Sequence, residues 1–344
     1  MARPVSGNAA GRGSCTPGQC QPPGCGSAFR GLVTFGESMG LISTPDIGPI
    51  EFAREFRYGI GGAESNVAIG AARLGASVTW IGRLGYDATG DMIERRLRAE
   101  GVRVQAVRDG GFTGLMLRHH RAAGHACVDY HRAGSAASRL CAADIPDDLL
   151  AGAAILHVTG ITAALSESAR QAVFSAAERA RTLGVTVSFD VNYRAKLWER
   201  AAAAPVLRAL AERADILMAG TDEVRLLLGD RDIVAGRPML ERMAALGPQE
   251  VLVKDGQRGC TALIDGVPFR LPALRVTVVD PVGAGDAFAA AYLAERLAGG
   301  TAEARLRTAI AAGAFAVAVP GDCEGLPRRH ELTILGRHPE DTVR

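Results

Sequence analysis

Short runs of β-branched and other apolar residues alternate along the chain with longer Ala- and Arg-rich segments. The apolar runs have the length of strands and cover 32–36, 77–82, 154–160, 185–190, 215–220 and 250–256. The segments between them have the length of helices, as at 64–75, 88–100, 166–183 and 203–213. This alternation is typical of βαβ units, in which helices cover both faces of a parallel sheet. The pattern therefore predicts an α/β fold with a central, mostly parallel sheet.

Two stretches, at about 38–60 and 112–135, break this alternation. The second contains the strand-like pieces TGLMLRHH and HACVDYHR with no helix between them. We expect such pieces to pair antiparallel in a small accessory sheet. Ligands of open α/β sheets bind beyond the carboxyl ends of the strands, so a small sheet on that side would act as a β lid.

The first 29 residues contain few large apolar side chains and are rich in Gly, Pro and Ser. We expect residues 1–29 to be a disordered extension, followed by one domain over 30–335 and a tail at 336–344. An odd number of cysteines, seven, scattered over a long chain argues against a disulfide framework. A metal clip in the extension is an open alternative for three of them, although no histidine lies nearby: Cys15, Cys20 and Cys25.

Composition and charge narrow the class of protein. Hydrophobic residues make up 48% of the chain and aromatic residues only 5%, so Ala, Val, Leu and Ile must supply most of the core. The formal charge of +2 is spread along the chain without the basic stripe that nucleic acid binding requires. No apolar run reaches the roughly 18 residues that cross a bilayer, and the N-terminus lacks the apolar stretch of a secretory signal. We therefore expect a cytoplasmic protein that binds neither nucleic acid nor a membrane.

The run at 275–300 carries the clearest chemical signal. A predicted strand leads through a Gly-rich turn into an Ala-rich helix. The backbone N–H groups of Gly283, Ala284 and Gly285 can point into one space at the positive end of that helix, which would make an anion hole. Asp286 follows in the first helical turn, where it can accept the proton of an attacking hydroxyl. The alternative is that Asp286 only caps the helix.

Two glycine-containing segments precede this run. Gly61 and Gly62 stand just before a predicted helix that carries Asn66, and they permit close approach of the backbone to a ligand. A tight turn is the alternative there. The segment 253–259 suits a nucleotide phosphate or ribose through Lys254, Gly256 and Gly259. An ordinary hairpin turn explains that segment equally well, and the sequence of a P-loop is absent.

The string DPVGAGDAF resembles the C-terminal signature of the PfkB, or ribokinase-like, carbohydrate kinases, and YGIGGAESNVA resembles the family element that touches the sugar. The resemblance covers roughly 30–335 and implies a ribokinase-like fold, ATP and Mg²⁺ as cofactors, and often a homodimer. It implies that Asp286 is the catalytic base, that 283–285 form the anion hole, and that 253–259 lies toward the nucleotide. Gly313 lies in a helix that resembles the family's adenine-side wall, with plain helix packing as the alternative.

The metal ligands match the family less completely. Sugar kinases of this kind often carry N-x-x-E, but here Gly220 stands in place of the Asn while Glu223 is present. The resemblance implies that Glu223 holds Mg²⁺ through water, and Mg²⁺ should still be required to balance the charge of the phosphates. A monovalent cation is left open, with Asp280, at the end of a predicted strand, and the carbonyl groups of 319–322 as its candidate ligands.

Three shorter strings resemble segments of 2-keto-3-deoxygluconate kinases: YHRAGSAAS, FDVNYRAKLW and GDCEGLP. This resemblance implies a sugar-acid substrate that is contacted by Tyr130, Arg132, Arg194 and Asp322. Arginine can hold a carboxylate through charge-assisted hydrogen bonds that a neutral hexose does not need. The alternative for each arginine is a solvated surface charge. Met116 departs from the pattern, because a Tyr with its hydrogen-bonding phenol is expected there.

We therefore expect ATP-dependent phosphorylation of 2-keto-3-deoxygluconate to its 6-phosphate. Fructokinase or ribokinase activity on the same fold is the first alternative. A non-catalytic sugar-binding protein is the second, although the intact glycine turn and Asp286 argue against it. Four histidines near the predicted lid suggest a metal site, but they fit no zinc spacing: His119, His120, His125 and His131.

Deleting residues 2–28 should leave the melting temperature and the kinase activity unchanged, because this segment lacks the apolar residues that would dock it onto a folded domain. Thermal unfolding and turnover of the truncated and full-length chains would be compared directly. A large loss of stability on truncation would show that the extension folds onto the body.

Overall fold

The computed structural model describes residues 1, 30–122, 125–229 and 235–336. The predicted extension, apart from Met1, and the predicted tail, apart from Gly336, lie outside the described residues. The strands are β1 Leu32–Phe35, β2 Met39–Ile47, β3 Arg57–Gly61, β4 Val78–Gly85, β5 Arg103–Asp109, β6 Leu115–Ala122, β7 His125–His131, β8 Ile155–Thr159, β9 Thr186–Asp190, β10 Ile216–Gly220, β11 Glu250–Lys254, β12 Cys260–Ile264 and β13 Val267–Leu271. The helices are α1 Ala63–Arg73, α2 Ala88–Ala99, α3 Asp147–Ala151, α4 Gly160–Leu165, α5 Glu167–Thr182, α6 Arg200–Ala211, α7 Thr221–Leu228, α8 Arg237–Ala244, α9 Ala284–Leu297 and α10 Ala302–Val317.

Within these ranges, nine strands form one large sheet in the order β13-β12-β11-β10-β9-β8-β1-β4-β5. The strands from β11 to β5 in this order run parallel, while β12 and β13 add an antiparallel edge. Chain neighbours are joined through helices over most of the sheet, which is the βαβ arrangement that the alternating pattern predicts. The predicted α/β fold is confirmed.

Buried apolar side chains form a separate core on each face of this sheet. Successive residues of a strand point to opposite faces, and Leu32 accordingly packs in one core while Val33 packs in the other. Small alanines of α5 fill one core, and those of α9 fill the other, as at Ala176 and Ala290. Helices with small faces can approach the sheet closely, which explains how a chain so poor in aromatic residues closes its interior.

The stretches that break the alternating pattern form a second, four-stranded sheet in the order β3-β2-β6-β7. β2 pairs antiparallel with β3, and β6 pairs antiparallel with β7, as expected for hairpin-like pieces. The two pairs join through β2 and β6, which run parallel to each other. The apolar core of this sheet is small and consists of Met39, Leu41 and Met116, with Val128 packed against it.

The strand predicted to end at Asp280 is wrong. Residues 272–278 have no regular structure, and Val278 and Val279 are half exposed. β12 and β13 already occupy this edge of the large sheet, and the N–H groups of Val279 and Asp280 instead donate to the carbonyl of Val317, at 2.7 and 3.1 Å. The predicted strand at 250–256 likewise ends early, at Lys254, because a hairpin turn follows.

Among the described residues, no helix is long and apolar enough to span a membrane. The parallel strands β8, β9, β10 and β11 end at one edge of the large sheet, with Thr159, Asp190, Gly220 and Lys254 as their last residues. Side chains at these positions are therefore brought together by the topology of the sheet, which is where ligands of such folds bind.

Candidate active site

A cleft of about 1100 Å³ opens beside the carboxyl ends of the parallel strands and extends to the small sheet. Most of the side chains and glycines predicted from the sequence to bind or react line it: Gly62, Asn66, Tyr130, Arg132, Arg194, Glu223, Lys254, Gly256, Gly283, Gly285, Asp286 and Asp322. Residues more than 200 positions apart in the chain thus meet in one space. The predicted constellation is a spatial cluster.

Asp286 lies in the first turn of α9 and is buried. The side-chain amide of Asn66 donates to its Oδ2 at 2.8 Å, and that of Asn192 approaches its Oδ1 at 3.5 Å. Burial raises the pKa of this carboxyl to about 7, and the nearby negative charge of Asp322 adds to the rise, while Asn66 and Arg194 act in the opposite direction. A carboxylate with a pKa near neutrality is a better proton acceptor than an ordinary aspartate.

The turn before α9 requires glycine. Gly283 has a φ of +78°, and a Cβ there would lie 2.5 Å from the carbonyl oxygen of Asp322. The first N–H groups of a helix have no intrahelical acceptor, so those of Gly283, Ala284 and Gly285 are available to an anion. A Cβ on Gly285 would lie 3.4 Å from Nζ of Lys254, which places an ammonium group beside this helix end.

Lys254 is held by the last residue of β9. Its ammonium donates to both carboxylate oxygens of Asp190, at 2.8 and 2.7 Å. Burial alone would lower the pKa of Lys254, but Asp190 and Glu223 outweigh it and raise the pKa. Lys254 therefore stays charged, and its ammonium lies beside the first turn of α9.

Glu223 is committed to the backbone. Its Oε1 accepts from the N–H of Tyr193 at 2.7 Å, and its Oε2 accepts from the N–H of Gly220 at 2.6 Å. Burial and the charge of Asp190 raise its pKa. Position 220 has room for a side chain, since a Cβ there would approach only Glu223, at 3.4 Å.

These carboxylates fit Mg²⁺ in the form that accompanies a nucleotide. The described residues contain no group of three or more His, Cys, Asp or Glu side chains arranged to hold a metal ion alone. Mg²⁺ needs no such group, because it usually keeps several waters and binds through one or two carboxylates and the substrate phosphates. Asp190 and Glu223 are the carboxylates that would hold it here through water, because the oxygens of both already accept hydrogen bonds from the protein.

The glycines that were predicted to lie toward the nucleotide have different structural environments. The segment 253–259 is a hairpin turn between the antiparallel strands β11 and β12, as its alternative interpretation stated, and its Gly256 also lines the cleft. Gly259 has a φ of +96°, and a Cβ there would lie 2.1 Å from the carbonyl oxygen of Leu271, so this glycine serves the packing of the hairpin. Gly313 packs against the start of α9, where a Cβ would lie 3.3 Å from the carbonyl oxygen of Ala284.

The part of the cleft where we expect the sugar contains a feature that sequence reasoning missed. Arg132 forms an ion pair with Glu37, which is buried and also accepts from Oγ of Ser135 at 3.0 Å. The guanidinium lies 5.4 Å from the centroid of the Tyr130 ring. Arg132 thus reaches the cleft with its charge already balanced. The only hint in the sequence was an acidic residue just after the first buried strand.

The other cations of this side are less committed. Arg194 is exposed and donates to the carbonyl of Tyr193 at 3.2 Å. Lys196 also lines the cleft, donates to the carbonyl of Val128 at 2.5 Å and lies 5.8 Å from the centroid of the Tyr130 ring. Lys196 was missed, although it lies in the same string as Arg194.

Gly61 and Met116 belong together. A Cβ on Gly61 would lie 2.0 Å from Cε of Met116 and 2.3 Å from Oδ2 of Asp322. Gly61 therefore makes room for the thioether that stands where a Tyr is expected, and for the carboxylate behind it. A further cation, Arg118, lines the cleft near Asp322 and was also missed.

Residues 30–329 match the model of the pfkB family carbohydrate kinases. The chain belongs to this family. It is 37% identical over 305 residues to a 2-dehydro-3-deoxygluconokinase of Bacillus subtilis, covering 87% of this chain and 93% of the relative. It is 35% identical over 329 residues to a 2-dehydro-3-deoxygluconokinase of Thermoproteus tenax, covering 94% of this chain and 98% of the relative.

Solved structures agree with the ribokinase-like fold. A candidate ribokinase II from E. coli, in complex with ATP and Mg²⁺, superposes with a TM-score of 0.81 at 28% identity, covering 89% of this chain and 98% of that one. The protein is therefore a phosphotransferase of the carbohydrate kinase class, and the family implies ATP and Mg²⁺. The predicted family, fold and enzyme class are confirmed.

Replacing Asp286 by Asn should keep the fold and lower turnover by at least about 10²-fold, since a positioned base contributes roughly 10² to 10⁴ in rate. The amide preserves the shape and the contact with Asn66 but cannot accept the proton. Steady-state turnover with ATP and Mg²⁺ would be measured beside Asp148→Asn, an exposed aspartate of α3 that should change nothing. Turnover of Asp286→Asn within a few-fold of wild type would remove Asp286 from the mechanism.

The pH profile should report the same group. Because Asp286 accepts a proton only when ionised, and its pKa is raised to about 7, kcat/KM should rise with pH through about 7 and level off above it. Asn66→Ala removes a hydrogen bond that favours the ionised form, so the midpoint should move to higher pH. A profile that is flat between about pH 6 and about pH 8 would contradict the assignment.

Proposed function

We propose that this kinase phosphorylates the 6-hydroxyl of 2-keto-3-deoxygluconate with ATP. The names of its relatives support this substrate, since the chain covers nearly their whole length. The observation that carries the proposal is the charge of the sugar side. Within the described part of the chain, neither Arg194 nor Lys196 forms an ion pair with a carboxylate, and both line the cleft. A sugar acid supplies the anion that these cations lack.

Asp286 acts as the base in this proposal. The substrate hydroxyl lies beside its carboxylate, which accepts the proton as the oxygen bonds to the terminal phosphorus of ATP. The bond between that phosphorus and the bridging oxygen breaks, and ADP leaves. The carboxyl end of β9 and the start of α9 bring Asp190 and Asp286 to the same cleft, where the phosphates and the hydroxyl would meet. Positioning of this kind accounts for much of the catalysis in phosphoryl transfer.

Charge that develops on the transferred group is met from two sides. The N–H groups of Gly283, Ala284 and Gly285 face it at the positive end of α9, and Lys254 stands beside them. Asp190 and Glu223 would hold Mg²⁺, which would supply the further counter-charge that the phosphates need. Asn66 and Gly62, at the start of α1, lie on the sugar side of Asp286 and position the substrate.

We infer that the protein works in the cytoplasm, where ATP is available, and that it forms a homodimer through the outer surface of the small sheet. The support for the dimer is a set of large apolar side chains that are more than half exposed on or beside β2 and β3: Ile47, Phe52, Phe56 and Tyr58. Exposed apolar groups of this size mark interaction surfaces. Phe52→Glu should convert the dimer into monomers, and light scattering would measure the mass of both proteins in solution. A monomeric wild type would refute the inference.

The substrate assignment is tested by replacing Arg194 with Leu. Losing one charge-assisted contact of roughly 1.5 to 3 kcal/mol should lower kcat/KM for 2-keto-3-deoxygluconate by about ten-fold to a hundred-fold. Fructose and ribose, which have no carboxylate, should be affected far less. Arg208→Leu is a matched control, because Arg208 is exposed on α6 and paired with Glu212.

A panel of sugars and sugar acids at saturating ATP gives the outcomes. Preference of wild type for 2-keto-3-deoxygluconate, lost in Arg194→Leu, supports the proposal. Preference for fructose or ribose, or an equal loss for every sugar, overturns the sugar-acid assignment while leaving the enzyme class intact.

A further inference from the structure

Arg118 is a buried cation that the reaction described above does not use. It belongs to β6 of the small sheet, and only 4% of the residue is exposed. One guanidinium nitrogen lies 3.2 Å from Oδ2 of Asp280, and another lies 3.4 Å from Oδ1 of Asp322. Both carboxylates are themselves buried. A charge so far from water persists only where opposite charges compensate it, so the three groups form one unit.

Asp280 fixes the chain just before α9. Its Oδ1 accepts from the N–H of Val282 at 3.1 Å, and its Oδ2 accepts from the N–H of Gly321 at 3.3 Å. The carboxylate therefore ties the turn that precedes the anion hole to the loop that follows α10. Its remaining partner is Arg118.

Asp280 and the carbonyls of 319–322 are also the candidate ligands of a monovalent cation. The residues present do not fit such an ion. Both oxygens of Asp280 face N–H donors, and the guanidinium of Arg118 already brings a full positive charge to Oδ2. A second cation at this carboxylate would meet the first at short range, and the nearby carboxylate of Glu324 already accepts from the N–H groups of Asp322 and Cys323.

The charge of Arg118 is also linked to Asp286 by direct contacts. Oδ2 of Asp322 accepts from the side-chain amide of Asn66 at 3.3 Å, and the same amide donates to Oδ2 of Asp286 at 2.8 Å. The carbonyl oxygen of Asp322 in turn packs against Gly283. Arg118 thus stands behind both the candidate base and the glycine turn without touching either.

We propose that Arg118 is a positioning residue that takes the place of a monovalent cation, so that this kinase works without one. Its guanidinium balances Asp280 and Asp322 and thereby holds the turn at 280–283 in place for the transferred phosphoryl group. Because Arg118 lies in the small sheet and both aspartates lie outside it, the same contacts also join the small sheet to the rest of the molecule. This inference rests on the proposed kinase site.

The wild-type enzyme gives the first test. Turnover with ATP and Mg²⁺ would be measured in the chlorides of K⁺, Na⁺, Cs⁺ and tetramethylammonium at equal ionic strength. We expect turnover to agree within about two-fold in all four salts, because the required charge is internal. Activation by K⁺ of about ten-fold or more over tetramethylammonium would overturn the proposal.

Arg118→Ala gives the second test. In tetramethylammonium its kcat should fall by about ten-fold to a hundred-fold, and added guanidinium or K⁺ should restore part of the loss. Arg118→Lys keeps a cation and should lose less. Arg121→Ala, an exposed arginine on the same strand, is the matched control and should behave as wild type. In the double variant with Asp280→Asn the response to added cations should disappear, since the carboxylate that attracts them is gone.

Melting temperature without substrates provides a readout that does not depend on activity. Guanidinium or K⁺ should raise the melting temperature of Arg118→Ala relative to tetramethylammonium, because a ligand that binds only the folded state stabilises it. The wild type should show no such difference. If Arg118→Ala fails to fold, Arg118→Gln, which retains hydrogen-bond donors without the charge, takes its place in both measurements.

The outcomes separate this inference from the proposed function. Unchanged kcat and melting temperature in both neutral variants, or losses that no cation restores, would overturn the role of Arg118. Failure of every sugar to be phosphorylated by wild type would overturn the proposed function, and the melting temperatures would still decide whether a cation can replace Arg118.

Discussion

The cost of burying negative charge organises the cleft. Four of the carboxylates that line its floor are almost fully buried: Glu37, Asp190, Asp286 and Asp322. Three of them face a cation within the described part of the chain, because Arg132, Lys254 and Arg118 stand beside Glu37, Asp190 and Asp322. Asp286 faces the amides of Asn66 and Asn192 instead. Neutral donors satisfy its oxygens without fully stabilising its charge, and burial raises its pKa to about 7.

The raised pKa of Asp286 makes its contribution to the stability of the fold depend on pH. A group whose pKa is higher in the folded than in the unfolded state stabilises the fold at low pH, and the contribution is lost as pH rises through the folded value. For Asp286 the window runs from about 4 to about 7, so at the pH where the base is ionised the folded state bears the full penalty. Burial also raises the pKa of Glu37 and that of Asp322, although Arg132 and Arg118 act in the opposite direction. The ion pairs therefore offset only part of the cost of burying these two carboxylates.

Much of this site could be predicted from the sequence because its signals are local. A glycine turn directly before a helix specifies an anion hole by backbone geometry alone, and Asp286 is fixed relative to it by three residues of chain. The alternating pattern likewise specified the sheet. The ion pairs could not be predicted in this way, since Arg118 and Asp322 are 204 positions apart and Arg132 finds Glu37 only after the small sheet has formed. An arginine in a matching string shows that a charge is present but not whether a partner already balances it.

The influence of distant parts of the chain also explains why the strand predicted before Asp280 does not form. The run before Asp280 has the β-branched composition of a strand, yet the hairpin of β12 and β13 reaches the edge of the sheet first in the chain and occupies it. The segment is then free to carry Asp280 to the loop after α10, where it meets Arg118. A strand at this place would have paired the backbone groups that now fix the turn. The local preference for a strand is thus overridden by the tertiary contacts that place the carboxylate of Asp280.

Polar contacts help to hold the small sheet to the rest of the molecule, and this links its position to the charge in the cleft. Its own apolar core is small. In addition, Arg118, Arg132 and Lys196 each make a polar contact between a residue in or beside the small sheet and a residue outside it. Two of these are ion pairs with buried carboxylates. The third, from Lys196 to the carbonyl of Val128, is exposed and satisfies only part of the ammonium's capacity. An anion that reaches Arg194 and Lys196 therefore finds two cations that form no ion pair among the described residues, while the paired ones keep the walls of the cleft in place. In the proposed function, selectivity for a charged sugar then follows from which cations lack a carboxylate, and not from how many cations the cleft contains.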